Sequence, residues 1–321
     1  MSSEALVRDL ERVVDGPILR EEPLAPHTTF RVGGPAEVFV RPKDAIEAER
    51  IVSWATCRGI PLHCLGKGSN LLVDDRGVRG VVVATAPGLE GIRLGENRGG
   101  TTSVRVGAGT SLARLEGFCV RQGLSGLEPL VGIPGSVGGA VAMNAGVDSH
   151  CAASLVRSVL AFDPVVGTVR ELENKECGFS YRKSIFLDVD GPIILSAEMG
   201  FATEDRRAIS REMRTRLQYR RQRHPWRERS AGSIFRNPAS MPAGKLIEAA
   251  GLKGCRIGGA MVSTVHANFI VNLGGATYSD IRCLIDEIRN VVLARFGTEL
   301  ALELRIWGSD DGANWPSASS R

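Results

Sequence analysis

At 321 residues, with 43% hydrophobic and 24% charged residues, the chain has a globular protein's composition and enough length for two or three domains. It has no apolar run of eighteen residues, so no membrane-spanning helix is expected; the opening stretch MSSEALVRDLERVV mixes acids with its bases, unlike a signal or transit peptide, and a cytoplasmic location is expected. The formal net charge of +4 is unevenly spread, with ten arginines against Glu212 and Glu228 between Arg206 and Arg229.

In chain order, residues 37–41 read as a strand and 44–57 as an amphipathic helix with Ala45, Ile46, Ile51, Val52 and Ala55 inward. Residues 62–65 read as a short buried strand. GKGSNLLV follows at 66–73, where Gly66, Gly68, Ser69 and Asn70 offer bare amides, a hydroxyl and a carboxamide to phosphate oxygens. Strands are expected over 81–83 and 102–106, then a helix capped by Ser111 and ending near Gly123.

The most telling stretch is GIPGSVGGAVAMNAG at 132–146, with glycine at 132, 135, 138, 139 and 146. Glycine opens backbone angles closed to other residues and lets main-chain amides approach a ligand, so two such loops suit a dinucleotide whose diphosphate is held by amides. Neither fits a familiar fingerprint. A P-loop needs Ser or Thr after Gly-Lys, where Gly68 stands; a Rossmann loop needs a third glycine at the position of Leu71. Alternating strands and helices indicate an α/β first domain.

From Thr203 an arginine-rich helix is expected to form the boundary to a second domain. The segment 206–229 reads first as a solvated helix and linker, since aromatic interleaving is limited to Tyr219 and Trp226. A nucleic-acid or anionic-lipid patch and an attractor of anionic substrates are the other readings. Beyond it come a helix over 241–250 closed by Gly251, a strand over 269–271 and a helix over 278–296, whose Ile281, Leu284, Ile285, Ile288, Val291 and Val292 form one stripe. LALELRIWG alternates, with Leu302, Leu304 and Ile306 on one face and Glu303 and Arg305 on the other. The seven scattered cysteines (57, 64, 119, 151, 177, 255, 283) form no CxxC pair and the five histidines show no ligand spacing, so neither a disulfide framework nor a metal site is expected, and most cysteines read as small core residues.

The motifs TTFRVGGPAE, GKGSNLLV, GLSGLEPLVGIPGSVGGAVAMNAG, CGFSYRKSIF, SAGSIFRNP, AGKLIEAAGLKG, HANFIVN and LELRIWG occur in order between Thr28 and Gly308. On them the chain resembles the UDP-N-acetylenolpyruvoylglucosamine reductases, FAD enzymes of bacterial peptidoglycan precursor synthesis. The resemblance implies an α/β (α+β) architecture: a vanillyl-alcohol-oxidase-type FAD-binding domain in two subdomains (1–90 and 91–202) and a C-terminal α+β substrate domain (203–308). The tail at 309–321 is expected to be disordered. The flavin diphosphate would rest on Gly66, Lys67, Gly68, Ser69, Asn70 and Leu71 and on Gly132, Ile133, Pro134, Gly135, Ser136, Gly138 and Gly139, with Asn144 facing the flavin.

The implied reaction passes a hydride from NADPH through the flavin to the vinyl carbon of UDP-N-acetylglucosamine enolpyruvate. Arg182, an ordinary surface arginine if taken alone, would stabilise the enolate, and Ser233, otherwise a cap or turn residue after Gly232, would give the proton. Glu303, by pattern alone an exposed acid beside Arg305, would join Arg182 at the substrate carboxylate. Tyr181, Arg236, Asn237, Lys245 and His266 are candidate substrate contacts. The chain departs from the family at Val147–His150 and at His224-Pro225, and is short between Asn144 and Arg229, as in the compact subtype without an extra tyrosine-bearing loop; a more open site and a monomer are expected. Two rivals are a flavin oxidoreductase of the same fold with another substrate, and a nucleic-acid-binding protein whose glycine loops are purely structural.

Overall fold

Local sequence chemistry sets the helices. In the computed structural model, which describes residues 3–308 and so leaves the tail expected at 309–321 outside the described residues, α1 (Ser3–Leu10) buries Leu6 and Leu10. Helix α2 (Ala45–Cys57) is capped by Asp44, whose carboxylate accepts from the Glu47 amide. Its inward face is Glu47, Ala48, Ile51, Val52, Trp54 and Ala55, which corrects the expected stripe: Ala45 is exposed and Ile46 is 62% exposed. Ile46 lies two positions before Ala48 and cannot share the stripe of Ala48, Ile51, Val52 and Ala55. Glu47 is drawn inward instead because its carboxylate accepts from the amides of Asp15, Gly16 (3.0 Å) and Lys43.

The described residues form two compact units, one of residues 3–20, 38–67 and 80–220 and one of residues 21–37, 68–79 and 221–308. This division by compactness is separate from the division by function expected at 90, 202 and 308. The first unit holds two cores. In one, Leu6, Leu10 and Val14 pack with Val38, Val40, Ile51, Trp54, Val81 and Val83. The strand Leu62–Leu65 runs parallel to Val78–Ala84, with Leu62 opposite Val81, in a four-stranded sheet ordered Ile18–Pro23, Pro35–Val40, Val78–Ala84, Leu62–Leu65.

The other core lies on a larger sheet ordered Thr168–Glu173, Val156–Asp163, Ile193–Thr203, Thr101–Gly107, Ile92–Arg98, every neighbour antiparallel. A repeating strand–helix–strand unit does not build it. Thr102, Val104 and Val106 alternate inward. Against Val104, Val106, Val159, Ala161, Phe162, Met199 and Phe201 pack α3 (Leu112–Gln122), α4 (Val137–Ala142) and α5 (Arg206–Arg223). Helix α3 starts at Ser111, which accepts from Arg114 N, and ends at Gly123 in the left-handed region, both as expected. Helix α5 buries only Ile209 and Met213, so most of its arginines face water.

In the second unit a three-stranded antiparallel sheet (Arg256–Ile257, Ala260–Val262, Ile270–Asn272) carries α6 (Ala243–Ala249) and α7 (Tyr278–Phe296). Helix α6 begins two residues later than expected, after Pro242. Helix α7 matches its predicted bounds: Thr277 and Asp280 form a capping box, Gly297 ends it, and Ile281, Leu284, Ile285, Ile288 and Val292 are buried. Each such side chain contributes about 1.5–3 kcal/mol. The alternating C-terminal segment is a regular strand only over Arg305–Trp307, parallel to Leu71–Val73, although Leu302, Leu304 and Ile306 all reach the core as predicted. The expectation that most cysteines are core residues is corrected: of the seven free thiols Cys119 and Cys177 are buried, while Cys57, Cys64 and Cys283 are exposed. Burial pushes the Cys119 thiol up to about 12.

Candidate active site

The two glycine loops meet in the first unit. Gly66 follows Leu65 at a strand end and lies so close to Ser136 that a Cβ there would stand 2.4 Å from Ser136 Oγ. Only glycine allows that approach. Ser136 is buried and caps α4, its Oγ accepting from Gly139 N at 3.3 Å. The turn before it is stitched to 108–112 by Leu112 N to Gly135 O, Val137 N to Thr110 O and Gly138 N to Ala108 O at 2.8–3.0 Å. Gly132 turns at φ +74° and donates to Glu116 Oε1 at 3.1 Å.

This donor set fits the diphosphate of FAD. The amides of Gly135 and Ser136 find no protein acceptor among the described residues, and Pro134 has no amide proton to misdirect. In the second unit, Gly68 is buried at φ +58°, its carbonyl accepting from Thr29 N at 3.1 Å, and its amide likewise has no protein acceptor among the described residues. Lys67 is exposed and Leu71 buried in its strand.

Two asparagines expected at the cofactor also bond to the protein. Asn70 Nδ2 donates to Glu303 O at 3.0 Å, while Asn70 O accepts from Arg305 N at 3.1 Å. Asn144, buried at φ +41°, donates to Ser180 O at 2.9 Å and accepts from Ala153 N at 3.0 Å, which braces the turn bearing Tyr181 and Arg182.

That turn closes by reciprocal bonds between Ser180 and Lys183, and Ser184 Oγ donates to Ala142 O at 2.6 Å. Arg182 takes φ +54°, a left-handed conformation that costs a non-glycine residue energy and persists where surrounding structure enforces it. Its Nη2 donates to Gly146 O at 2.9 Å and its guanidinium lies over the Tyr181 ring, 5.3 Å from the centroid. Gly146 starts the hairpin with His150–Cys151, so the segment 147–150, where the sequence departs from the family, adjoins the carbonyl holding Arg182.

In the second unit the structure brings Ser233 and Glu303 together. Ser233 follows Gly232 (φ +77°) and pairs with Phe269; next to it, Ile234 O accepts from Glu303 N at 2.9 Å. Asn268, which the sequence reading missed, clamps this segment by accepting from Phe235 N at 3.0 Å and donating to Phe235 O at 2.8 Å. Arg236 N donates to Ala301 O on the segment that carries Glu303. Asn237, expected at the substrate, uses its Oδ1 to accept from Ala243 N at 3.0 Å at the start of α6. Lys245 projects exposed from α6. His266 packs edge-on against Phe269 and His224, and burial lowers its basicity.

Glu116 is the other group that sequence reasoning missed. It shares the inward stripe of α3 with Leu112, Leu115 and Cys119, and an acid at a core-facing helical position was the available signal.

Comparison with known proteins agrees with these motifs. A profile of the FAD binding domain matches residues 36–173, and one of the UDP-N-acetylenolpyruvoylglucosamine reductase C-terminal domain matches 224–307. A UDP-N-acetylenolpyruvoylglucosamine reductase of Bacillus thuringiensis subsp. konkukian is 41% identical over 95% of this chain and 99% of its own length, and one of Heliobacterium modesticaldum is 43% identical over 92% and 93%. The crystal structure of the Thermus caldophilus reductase superposes with a TM-score of 0.74 at 35% identity, covering 91% of this chain and 99% of that one. With glycine turns that leave amides for a diphosphate, and near-full-length relatives of one kind, the chain belongs to the UDP-N-acetylenolpyruvoylglucosamine reductase family.

Proposed function

We propose that Arg182, Ser233 and Glu303 carry out the family's reaction, the NADPH-dependent reduction of the enolpyruvyl ether of UDP-N-acetylglucosamine enolpyruvate to UDP-N-acetylmuramate in peptidoglycan precursor synthesis. FAD, for which the amides of Gly135 and Ser136 offer donors, would supply the hydride to the terminal vinyl carbon. The displaced electron pair moves toward the substrate carboxylate, and the Arg182 guanidinium, which stays charged, stabilises the resulting enolate. Ser233 Oγ gives its proton to the adjacent carbon. A serine hydroxyl is a weak acid, yet an enolate is a strong base, and a donor fixed within hydrogen-bond reach suffices. Glu303 would polarise the substrate carboxylate or shuttle a proton.

The observation that supports this reading is the bond from Glu303 N to Ile234 O at 2.9 Å, which joins the backbone next to Ser233 to that of Glu303. The left-handed Arg182 on its carbonyl anchor supports it, since strain is retained where it serves a purpose. Tyr181, Arg236 and Lys245 are suited to the anionic nucleotide-sugar by stacking and charge; Asn237 and His266 act by positioning their neighbours. Residues 1–90 and 91–202 work as the FAD subdomains and 203–308 as the substrate domain, in keeping with the two matching profiles. The supply of UDP-sugars and NADPH favours a cytoplasmic location.

Stopped-flow absorbance of the flavin tests the assignment. Ser233→Ala should leave reduction by NADPH intact and slow reoxidation by the enolpyruvyl substrate by about 100-fold or more. Equal loss of both half-reactions would remove Ser233 from its role.

A further inference from the structure

Helices α3 and α5 each run an apolar stripe into the same core, and each stripe contains one charge of opposite sign. On α3 the stripe Leu112, Leu115, Glu116, Cys119 holds an acid. On α5 the stripe Ile209, Met213, Leu217 is continued at the next helical step by Arg220. Both residues are half-buried, and Arg220 Nε is buried with no hydrogen-bond partner among the described residues. Charged groups are rarely retired from water unless another group needs them there.

Glu116 has two neighbours to serve. Its Oε1 accepts from Gly132 N, the amide that opens the turn whose next amides suit the diphosphate. Its charge also supports that of Arg220. Burial lowers the Arg220 pKa, Glu116 raises it, and Arg182 lowers it again, so Arg220 stands in electrostatic reach of both. Burial in turn raises the Glu116 carboxyl, against the pull of Gly132 and Arg220.

We propose that Glu116 is a positioning residue, one carboxylate that fixes the Gly132 turn by hydrogen bonding and offsets Arg220 by charge, so that Arg182 is not repelled from its seat on Gly146. This rests on the reading of Arg182 as the enolate stabiliser. The acceptor and the charge can be separated. Glu116→Gln keeps an oxygen for Gly132 and removes the charge; Glu116→Leu removes both.

The protein is stripped of flavin, checked for folding by circular dichroism, and titrated with FAD; the reloaded enzyme is followed through each half-reaction. Glu116→Leu should weaken FAD binding by ~10-fold, and Glu116→Gln should restore it to within about twofold of the parent. Glu116→Gln should reduce normally with NADPH and reoxidise ~10-fold more slowly. Parental reoxidation in Glu116→Gln overturns the charge role, and FAD binding as weak in Gln as in Leu overturns the acceptor role. Uniform loss of both half-reactions with a lowered melting temperature reduces Glu116 to a structural residue. Arg182→Lys measured alongside separates the underlying reading: if it reoxidises at the parental rate, the role of Arg182 fails, whatever Glu116 does to FAD affinity.

Discussion

The glycine turn of the first unit and the Ser233 segment of the second solve the same problem with opposite means. At 132–139 the backbone itself is the functional surface: side chains are removed by glycine, main-chain bonds to 108–112 hold the turn, and amides are left for a ligand. At 234–236 the amides of Ile234, Phe235 and Arg236 and the carbonyls of Ile234 and Phe235 are engaged, by Asn268, Ala301 and Glu303, and the side chains are what remains to act. The first design is sensitive to added atoms, as at Gly66 and Gly138; the second is sensitive to a lost brace.

The sharpest test of the first design is Gly66→Ala. The new Cβ would meet Ser136 Oγ at 2.4 Å, and that hydroxyl cannot rotate away without giving up its cap on Gly139. FAD affinity should fall on the order of 10- to 100-fold, as measured by titration of the apoprotein. Adding Ser136→Ala leaves only Ser136 Cβ, at 3.4 Å, and should recover most of the loss, short of about 1 kcal/mol for the missing cap. No recovery would mean that the contact is not what requires glycine.

For the second design, Asn268→Ala strips both partners from the buried Phe235 backbone. Denaturant unfolding should show a loss of about 2 kcal/mol, and reoxidation should slow while FAD binding holds. Weakened FAD binding instead would break the contrast between the regions.

The smallest expected effect is a pH dependence from His266. Burial holds its pKa below the usual value near 6.5, so the folded state prefers the neutral ring. Stability from this group is complete above the unfolded pKa and drains away as pH falls below it toward the folded value. Melting temperatures from pH 7.5 to 5 should decline less steeply in His266→Gln than in the parent; equal slopes would show that the ring carries no such linkage.

The features legible in the sequence share a cause: each is written in neighbouring residues. Thr277, Asp280 and Gly297 fix α7 because caps act within a single turn, and the stripe from Ile281 to Val292 needs only helical periodicity. The glycines of 132–139 announce a special backbone by composition alone. The residue-by-residue likeness to one family then supplied Arg182, Ser233 and Glu303, whose types and spacing by themselves favour a surface arginine, a turn serine and an exposed acid.

What escaped depended on partners far along the chain. Nothing near Glu47 says that amides at 15, 16 and 43 await its carboxylate, which turned Ile46 outward. Asn70, Asn144 and Asn237 read as ligand donors because a carboxamide suits a phosphate or a sugar, and the fold also gives each of them a backbone partner that the sequence does not announce. The sequence by itself thus determined the longer helices and the glycine turns, because these follow from short-range sterics and periodicity, and its ordered motifs determined the family. Only the tertiary structure decided which backbone groups the polar side chains brace, because a hydrogen bond is claimed by whichever partner the packed chain delivers within about 3 Å.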